Sequence, residues 1–498
     1  MSNCRDPRAA SGIGRSEPSR AARVASPAAK LRNQKGRDAV PALTDPAARY
    51  HQPLGAPRRT IGSFDVLALT IGIVIGAGIF RTPALVAGAA PSEAALIAIW
   101  ALGGLLSIVG ALCYAELAAA FPNVGGDYHF LGRAYGERVA FLYAWARLAV
   151  IQTGSLALLA YICADYLQTI VPLGALGSTW WAAVAVILIS AINWLGVREG
   201  VAAQRWLTIA EVAGLCLLVV AGFMVAPAGD VPRPVGDGEG ALGLMLVFVL
   251  LTYGGWSEAV YVSAEMKDAP RRIAPIMAAG LGIVTLLYIL ANLAFLNALG
   301  LGGMAAADAV AAEVARLAFG DAGAAIIALA VAIAALTSAN ATAITGARTT
   351  CAIGRRFPAL GWLGRWDERR DTPGNALIAQ GIVALLLVGA GAFALDGFRL
   401  IVDYTAPVFW LFLLLVGIAL FVLRIRLPDL DRPYRVPLYP VLPAIFCATT
   451  AYLLWSSLAY TGWGALAGCG VLAVGGVLLL FLKPLPDDPD HPLEEMLR

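Results

Sequence analysis

The sequence predicts an all-α integral membrane protein with twelve transmembrane helices, and three observations carry that prediction. Of its 498 residues, 59% are hydrophobic and only 14% are charged, against roughly a quarter charged in soluble domains. The mean hydropathy is +0.75. Apolar runs near the length of about 20 residues that crosses a bilayer follow one another along most of the chain. Hydropathy places them at 63–89, 94–120, 139–166, 179–197, 204–226, 241–264, 273–299, 322–347, 376–395, 399–423, 440–460 and 463–482.

The same composition excludes several classes. A wholly disordered chain, a disulfide-stapled secreted scaffold and a nucleic-acid binder do not carry this much apolar residue. Lysine occurs only at Lys30, Lys35, Lys267 and Lys483, never after a glycine-rich run, so there is no phosphate-cradling loop and no nucleotide cofactor is expected. His51, His129 and His491 are the only histidines. They form no metal-ligand pair on a helix and no catalytic triad, so neither a metal nor an enzymatic activity is expected. The seven cysteines are scattered, five of them in apolar segments, and read as reduced packing residues.

Residues 1–60 are a basic tail with 12 Lys/Arg against four acids and no apolar run. No cleaved secretory signal is therefore expected; a disordered cytoplasmic segment is the reading, with an organellar transit peptide the alternative. Residues 304–318 alternate Ala with Asp308, Glu313 and Arg316, the pattern of a short amphipathic interfacial helix. Residues 483–498 form a short tail. Apart from Arg147 within the third span, 31 Lys and Arg fall on the side of the two termini and four on the other, Arg81, Arg233, Arg316 and Arg399. By the positive-inside rule both termini are cytoplasmic. The Ala/Arg-heavy composition suggests a bacterial inner membrane.

Two spans break the apolar pattern. The first runs Val74-Ile75-Gly76-Ala77-Gly78-Ile79-Phe80-Arg81-Thr82-Pro83, and the sixth runs Leu251-Thr252-Tyr253-Gly254-Gly255-Trp256-Ser257-Glu258. A helix in hydrocarbon is interrupted only where the freed backbone groups face protein or a wet cavity. Spans one and six are five apart, as corresponding helices of two inverted five-helix repeats would be. Interruptions in corresponding positions point to a transporter site at mid-membrane. Free N–H groups at a half-helix N-terminus attract a carboxylate and orphan carbonyls accept an ammonium, so the pair suits a zwitterion. Glycines that merely permit close helix packing are the simpler alternative.

The same residues resemble the amino acid–polyamine–organocation superfamily of secondary transporters. Gly76-Ala77-Gly78-Ile79-Phe80 looks like the family's G-S-G-I-F. Tyr114-Ala115-Glu116-Leu117 with Pro122-Asn123-Val124-Gly125-Gly126-Asp127-Tyr128 is similar to Y-x-E-L and P-x-x-G-G-x-Y. Glu265-Met266-Lys267-Asp268-Ala269-Pro270-Arg271 resembles E-x-K-N-P-x-R, and Arg432-Pro433-Tyr434-Arg435-Val436-Pro437 resembles R-P-[FY]-R-x-P. The resemblance covers about residues 62–482 and implies a leucine-transporter-type fold, with two inverted five-helix repeats plus two extra helices. The corresponding division is a first repeat at 61–226, a second at 241–423 and the extra helices at 424–482.

It further implies alternating access around a central amino-acid site. Gly76, Ala77 and Gly78, flanked by Val74 and Ile79, would present backbone to the substrate carboxylate. Leu251, Thr252 and Gly254 would offer carbonyls to the amino group, while Trp256 and Ser257 would line the side-chain subsite. Leu251 stands where relatives often carry an aromatic gate, which suggests a roomier pocket. Glu116 and Glu265 match motif positions at cytoplasmic span ends and are expected to latch onto loop arginines.

Charges at membrane depth are functional candidates by default. Glu211 stands where relatives carry a lysine that bridges the first and eighth spans. It is read as a protonatable coupling residue, and Ser338 of the eighth span is a second coupling candidate. The competing reading is an ion pair with Arg147. Arg81 either attracts an acidic substrate or pairs with an outer-loop acid. Glu258 either bonds the broken backbone or touches substrate. Amino-acid transport, by proton coupling or by exchange, is the leading function. Transport of a polyamine or organic cation, with Glu211 or Glu258 as counter-charge, is the alternative, and a substrate sensor without flux is a third reading.

Overall fold

The computed structural model describes residues 63–123, 125–196, 201–227, 229, 241–258, 269–367, 369–370, 372–394, 396–460, 462–482 and 484. The expectations for the tails 1–60 and 483–498 and for Glu265 lie outside them, Pro484 excepted. The first apolar span is two helices, α1 (Ser63–Val74) and α2 (Gly78–Ala89), bent by 43° across Ile75, Gly76 and Ala77. Helix α3 (Glu93–Ala120) starts at Ser92, whose side chain accepts from Ala95 N and so satisfies one of the donors every helix start leaves open. After a short helix, α4 (Asp127–Tyr135), the third span is built from α5 (Glu137–Ala146), a π-helical turn over Arg147–Ile151 and α6 (Gln152–Ile170).

Next come α7 (Gly177–Trp194), α8 (Val201–Met224) and α9 (Ala241–Thr252), the last closed by a 3₁₀ turn at Trp256–Glu258. They are followed by α10 (Ala269–Ala306), α11 (Val310–Arg356), α12 (Gly374–Gly391), α13 (Gly397–Arg426), α14 (Val441–Tyr460) and α15 (Gly462–Phe481). Within the described residues each predicted apolar run therefore coincides with helix, interrupted in the first and the sixth. Nine of the described helices are long and apolar enough to cross a membrane, and the bent pair makes a tenth. Ile209–Met224 and Leu242–Glu258 are apolar but shorter. Among the described residues no β-strand occurs, only an isolated bridge between Asp367 and Thr372.

The amphipathic segment near 304–318 is a helix from Val310 to a non-helical Gly320. Its apolar side is buried against the protein through Val310, Ala311, Val314 and Ala315, while Arg316 and Glu313 pair on the exposed side. The core at the middle of the bundle is aromatic. Trp100, Tyr253 and Tyr288 meet with ring centroids 5.0–6.0 Å apart and all three are fully buried. One of these rings, Tyr288, also carries a hydroxyl that bonds the backbone at the end of α1.

Candidate functional site

The two interruptions lie against each other and run in opposite directions. Helix α2 packs on α9, whereas α1 packs on the turn that follows α9. At the contact, a Cβ added to Gly78 would stand 3.2 Å from Thr252 Cγ2. Gly255, at φ +94°, brings its Cα so close to α1 that an added Cβ would be 2.9 Å from the Ile73 carbonyl oxygen and 2.8 Å from its Cγ2. Only glycine combines that backbone angle with that approach. The hydroxyls of Thr82 and Thr252 join the two halves at 2.7 Å.

Buried hydroxyls bond backbone carbonyls around the breaks. Tyr288 donates to the Val74 carbonyl at the end of α1 at 2.8 Å, Tyr166 to the Phe80 carbonyl within α2 at 2.9 Å and Tyr253 to the Trp100 carbonyl of the uninterrupted α3 at 3.0 Å. No side chain caps the N-terminus of α2 at Ala77. Gly76 and Gly78 are half-buried, so their backbone is approachable, while the side chains of Val74, Ala77 and Ile79 are buried in the core. Ser338 of α11 faces the first break, its Oγ 3.9 Å from where a Cβ on Gly76 would be. Leu251, Gly254 and Ser257 are half-buried and Thr252 is buried.

Trp256 turns away from α2. It packs edge-on against Tyr114 of α3 at 5.1 Å and Phe446 of α14 at 6.3 Å. There it lines a small pocket together with Ser107, Gly255, Trp410, Phe446 and Thr450. Ser107 Oγ and Trp410 Nε1, both buried, have no hydrogen-bond partner there.

Charged residues close the bundle on both sides of the breaks. Arg81 of α2 donates to Asp396 Oδ2 at 3.0 Å and to the Asp308 carbonyl at 2.9 Å, and lies 3.7 Å from Asp165 Oδ2. It therefore pairs with acids rather than standing ready for an acidic substrate. At the opposite end Glu258 binds Arg147 bidentately at 2.9 and 3.0 Å. The Glu258 carboxylate is thus engaged by Arg147, while its N–H donates to the Gly255 carbonyl at 2.9 Å. One expectation is corrected: Arg147 is not the partner of Glu211. The π-helical turn that begins at Arg147 widens the third span at the point where its guanidinium leaves for the turn after α9. Arg147 also donates to the Tyr143 hydroxyl, which donates to Asp127 Oδ2, both at 3.0 Å.

Glu211 Oε2 is buried with no hydrogen-bond partner, on α8 where that helix meets α1, α10 and α11. The side chains of Arg205 and Thr208 lie outside the described residues. Glu116, 1% exposed, accepts from Arg424 Nε and Nη2 at 2.7 and 2.5 Å and from Val436 N at 2.7 Å, with Arg432 Nε 3.6 Å away. One carboxylate thus ties α3 to α13 and to the Arg432–Pro437 loop. Glu116→Ala is expected to lower stability by about 3 kcal/mol, because it strands several buried donors at once. The check is the melting temperature of the purified protein.

Sequence reasoning missed Asp127, Tyr143 and Tyr288, and it missed the pairing of Arg147 with Glu258. The last was within reach, since a cation inside a span requires an anion at the same depth and Glu258 was one of two on offer.

Two facing, oppositely directed helix breaks inside an apolar helical bundle define a membrane transporter. The family model for amino acid permeases matches residues 61–467. The b(0,+)-type amino acid transporter 1 of Mus musculus is 28% identical over 441 residues, covering 85% of this chain and 88% of its own length. The human protein of the same name is 28% identical over 440 residues. The large neutral amino acids transporter small subunit 2 of Homo sapiens is 28% identical over 443 residues, covering 86% of this chain and 81% of its own. The chain belongs to the amino acid permease family. It is an amino-acid transporter and not an enzyme, since a permease moves its substrate without converting it.

Proposed function

We propose that the protein holds the zwitterionic part of an amino acid between its two helix breaks and carries it across a membrane by alternating access. The observation that carries this reading is the contact of Gly78 with Thr252 and of Gly255 with Ile73. It sets the uncapped N-terminus of α2, with its partial positive charge, beside the C-terminal end of α9, with its partial negative charge. A carboxylate at Gly76–Ile79 and an ammonium at Leu251–Gly254 then sit a few ångströms apart, as in an α-amino acid. The proposed architecture is twelve spans in two inverted repeats, 61–226 and 241–423, plus helices at 424–482. Both termini are on the cytoplasmic side of a bacterial inner membrane.

A neutral side chain fits best. Arg81, Arg147 and Glu258 are already in ion pairs, and the cavity beside Trp256 has largely apolar walls. The polyamine reading loses Glu258 as counter-charge and retains only Glu211. A thermal-shift screen of the purified protein against the twenty amino acids and common polyamines tests this. Ligand at 100 times its Kd stabilises the native state by about 2.7 kcal/mol. Stabilisation by neutral amino acids is expected; stabilisation by amines alone overturns the reading.

Coupling is assigned to Glu211, whose carboxylate is buried without a hydrogen-bond partner where α8 meets the first broken helix. Glu211→Gln is expected to retain the ligand-induced thermal shift and to lose the pH dependence of uptake into proteoliposomes. Uptake with an unchanged pH profile would remove Glu211 from the coupling mechanism.

A further inference from the structure

At the Glu258 end of the bundle, two carboxylates share one guanidinium. Arg147 is 3% exposed and binds Glu258 directly. Asp127 is one hydroxyl away, since Tyr143 accepts from Arg147 and donates to Asp127 Oδ2. The other oxygen, Asp127 Oδ1, is buried beside the Tyr114 hydroxyl. The three charged groups sit on three separate elements: Asp127 on α4, Arg147 on the π-helical turn of the third span, and Glu258 on the turn after the second break.

We propose that Arg147 is the moving part of the gate at this end: Glu258 holds it while the gate is closed, and Asp127 receives it when the gate opens. The proposal rests on the alternating-access reading, which requires the turn at 256–258 to separate from the third span. Separation would strand a buried guanidinium, which is strongly unfavourable because its desolvation is then uncompensated. A second carboxylate within reach of the same side chain removes most of that penalty and makes two arrangements comparable in energy.

Asp127 has the matching problem in the closed arrangement. Burial pushes its carboxyl up to about 7, Arg147 pulls it down and Glu258 pushes it up again. The groups facing it are Tyr114 from α3, Tyr143 and Arg147 from the third span and Glu258 from the turn. Helix α4 itself adds His129 and Arg133, and α13 meets α4 with Arg426, whose guanidinium donates to the Ala134 carbonyl. With the gate closed, Asp127 therefore keeps its proton below pH about 7. An ionised Asp127 above that pH draws Arg147 over, so opening is favoured as pH rises.

The test is amide hydrogen exchange of residues 253–258 in the purified full chain in lipid nanodiscs, at a pH above about 7. Glu258→Gln removes the closed-state partner and is expected to speed exchange several-fold relative to wild type. Asp127→Asn removes the open-state partner and is expected to slow it several-fold, while Asp127→Glu restores the wild-type rate. An ion pair of purely structural value loosens the region in both variants. Faster exchange in both, or no change in either, overturns the proposal. Should Asp127→Asn fail to fold, the wild type supplies the same information: exchange corrected for intrinsic chemistry must rise as pH passes about 7, and a flat profile overturns the proposal. Uptake of a radiolabelled mixture of the protein amino acids is expected to fall in both variants. A wild type that takes up none of them defeats the transport reading, while the opposite signs in exchange still judge the gate.

Discussion

Gly255→Ala is expected to abolish amino-acid uptake. Its φ of +94° lies in the region that costs a residue with a side chain about 1–2 kcal/mol. The new methyl would also meet the Ile73 carbonyl oxygen at 2.9 Å. Overpacking of that kind costs about 1–3 kcal/mol more, and the obstacle is backbone that cannot swing aside. The chain relieves the clash only by pushing the second broken helix off the first, which separates the carboxylate and ammonium subsites. Gly88→Ala is the control, since nothing lies within 4 Å of its added Cβ and alanine favours the helix by about 0.8–1 kcal/mol. Uptake by both variants in proteoliposomes, with melting temperature measured alongside, checks the pair. Wild-type uptake by Gly255→Ala would mean that the breaks need not touch for transport.

Arg147→Met is expected to lower stability by about 3 kcal/mol, because it leaves Glu258 and the buried Asp127 facing each other without a cation. Glu258→Gln costs less, since Arg147 still has Asp127 through Tyr143. Combining the two substitutions is expected to recover much of the loss, with a coupling of about 2 kcal/mol in the double-mutant cycle. Glu258 is 28% exposed at its side chain, which places the expected loss near the lower end of the range for buried pairs. The readout is the melting temperature of purified protein in one detergent. Additive losses would show that the two side chains do not depend on each other.

The positions of the helices were legible in the sequence for a simple physical reason. In hydrocarbon each backbone group must be satisfied within its own helix, so apolar run length alone marks an element. The two interruptions were legible on the same principle, because Gly76-Ala77-Gly78 and Gly254-Gly255 cannot continue a helix cheaply. Their spacing along the chain was legible too, as a feature of linear order. Glu116 was identifiable by motif, although its three partners, which lie some 310 residues away, were not.

The pairing of charges across the bundle was decided by tertiary structure alone. The linear spacing of Arg147 admits Glu211 and Glu258 equally. Packing chose Glu258, because the π-helical turn at 147–151 rotates the third span and the turn at 256–258 swings into its path. Arg81 was likewise assigned by packing, since Asp165 and Asp396 are 84 and 315 residues distant in sequence. Trp256, conspicuous in the sequence beside the second break, turns toward α3 and α14, where Gly110 leaves room for its ring. Hydropathy depends on each residue's own solvation and can be read along the chain. Which charge meets which depends on rotation about helix axes, a degree of freedom set by neighbouring helices and invisible in the order of the residues.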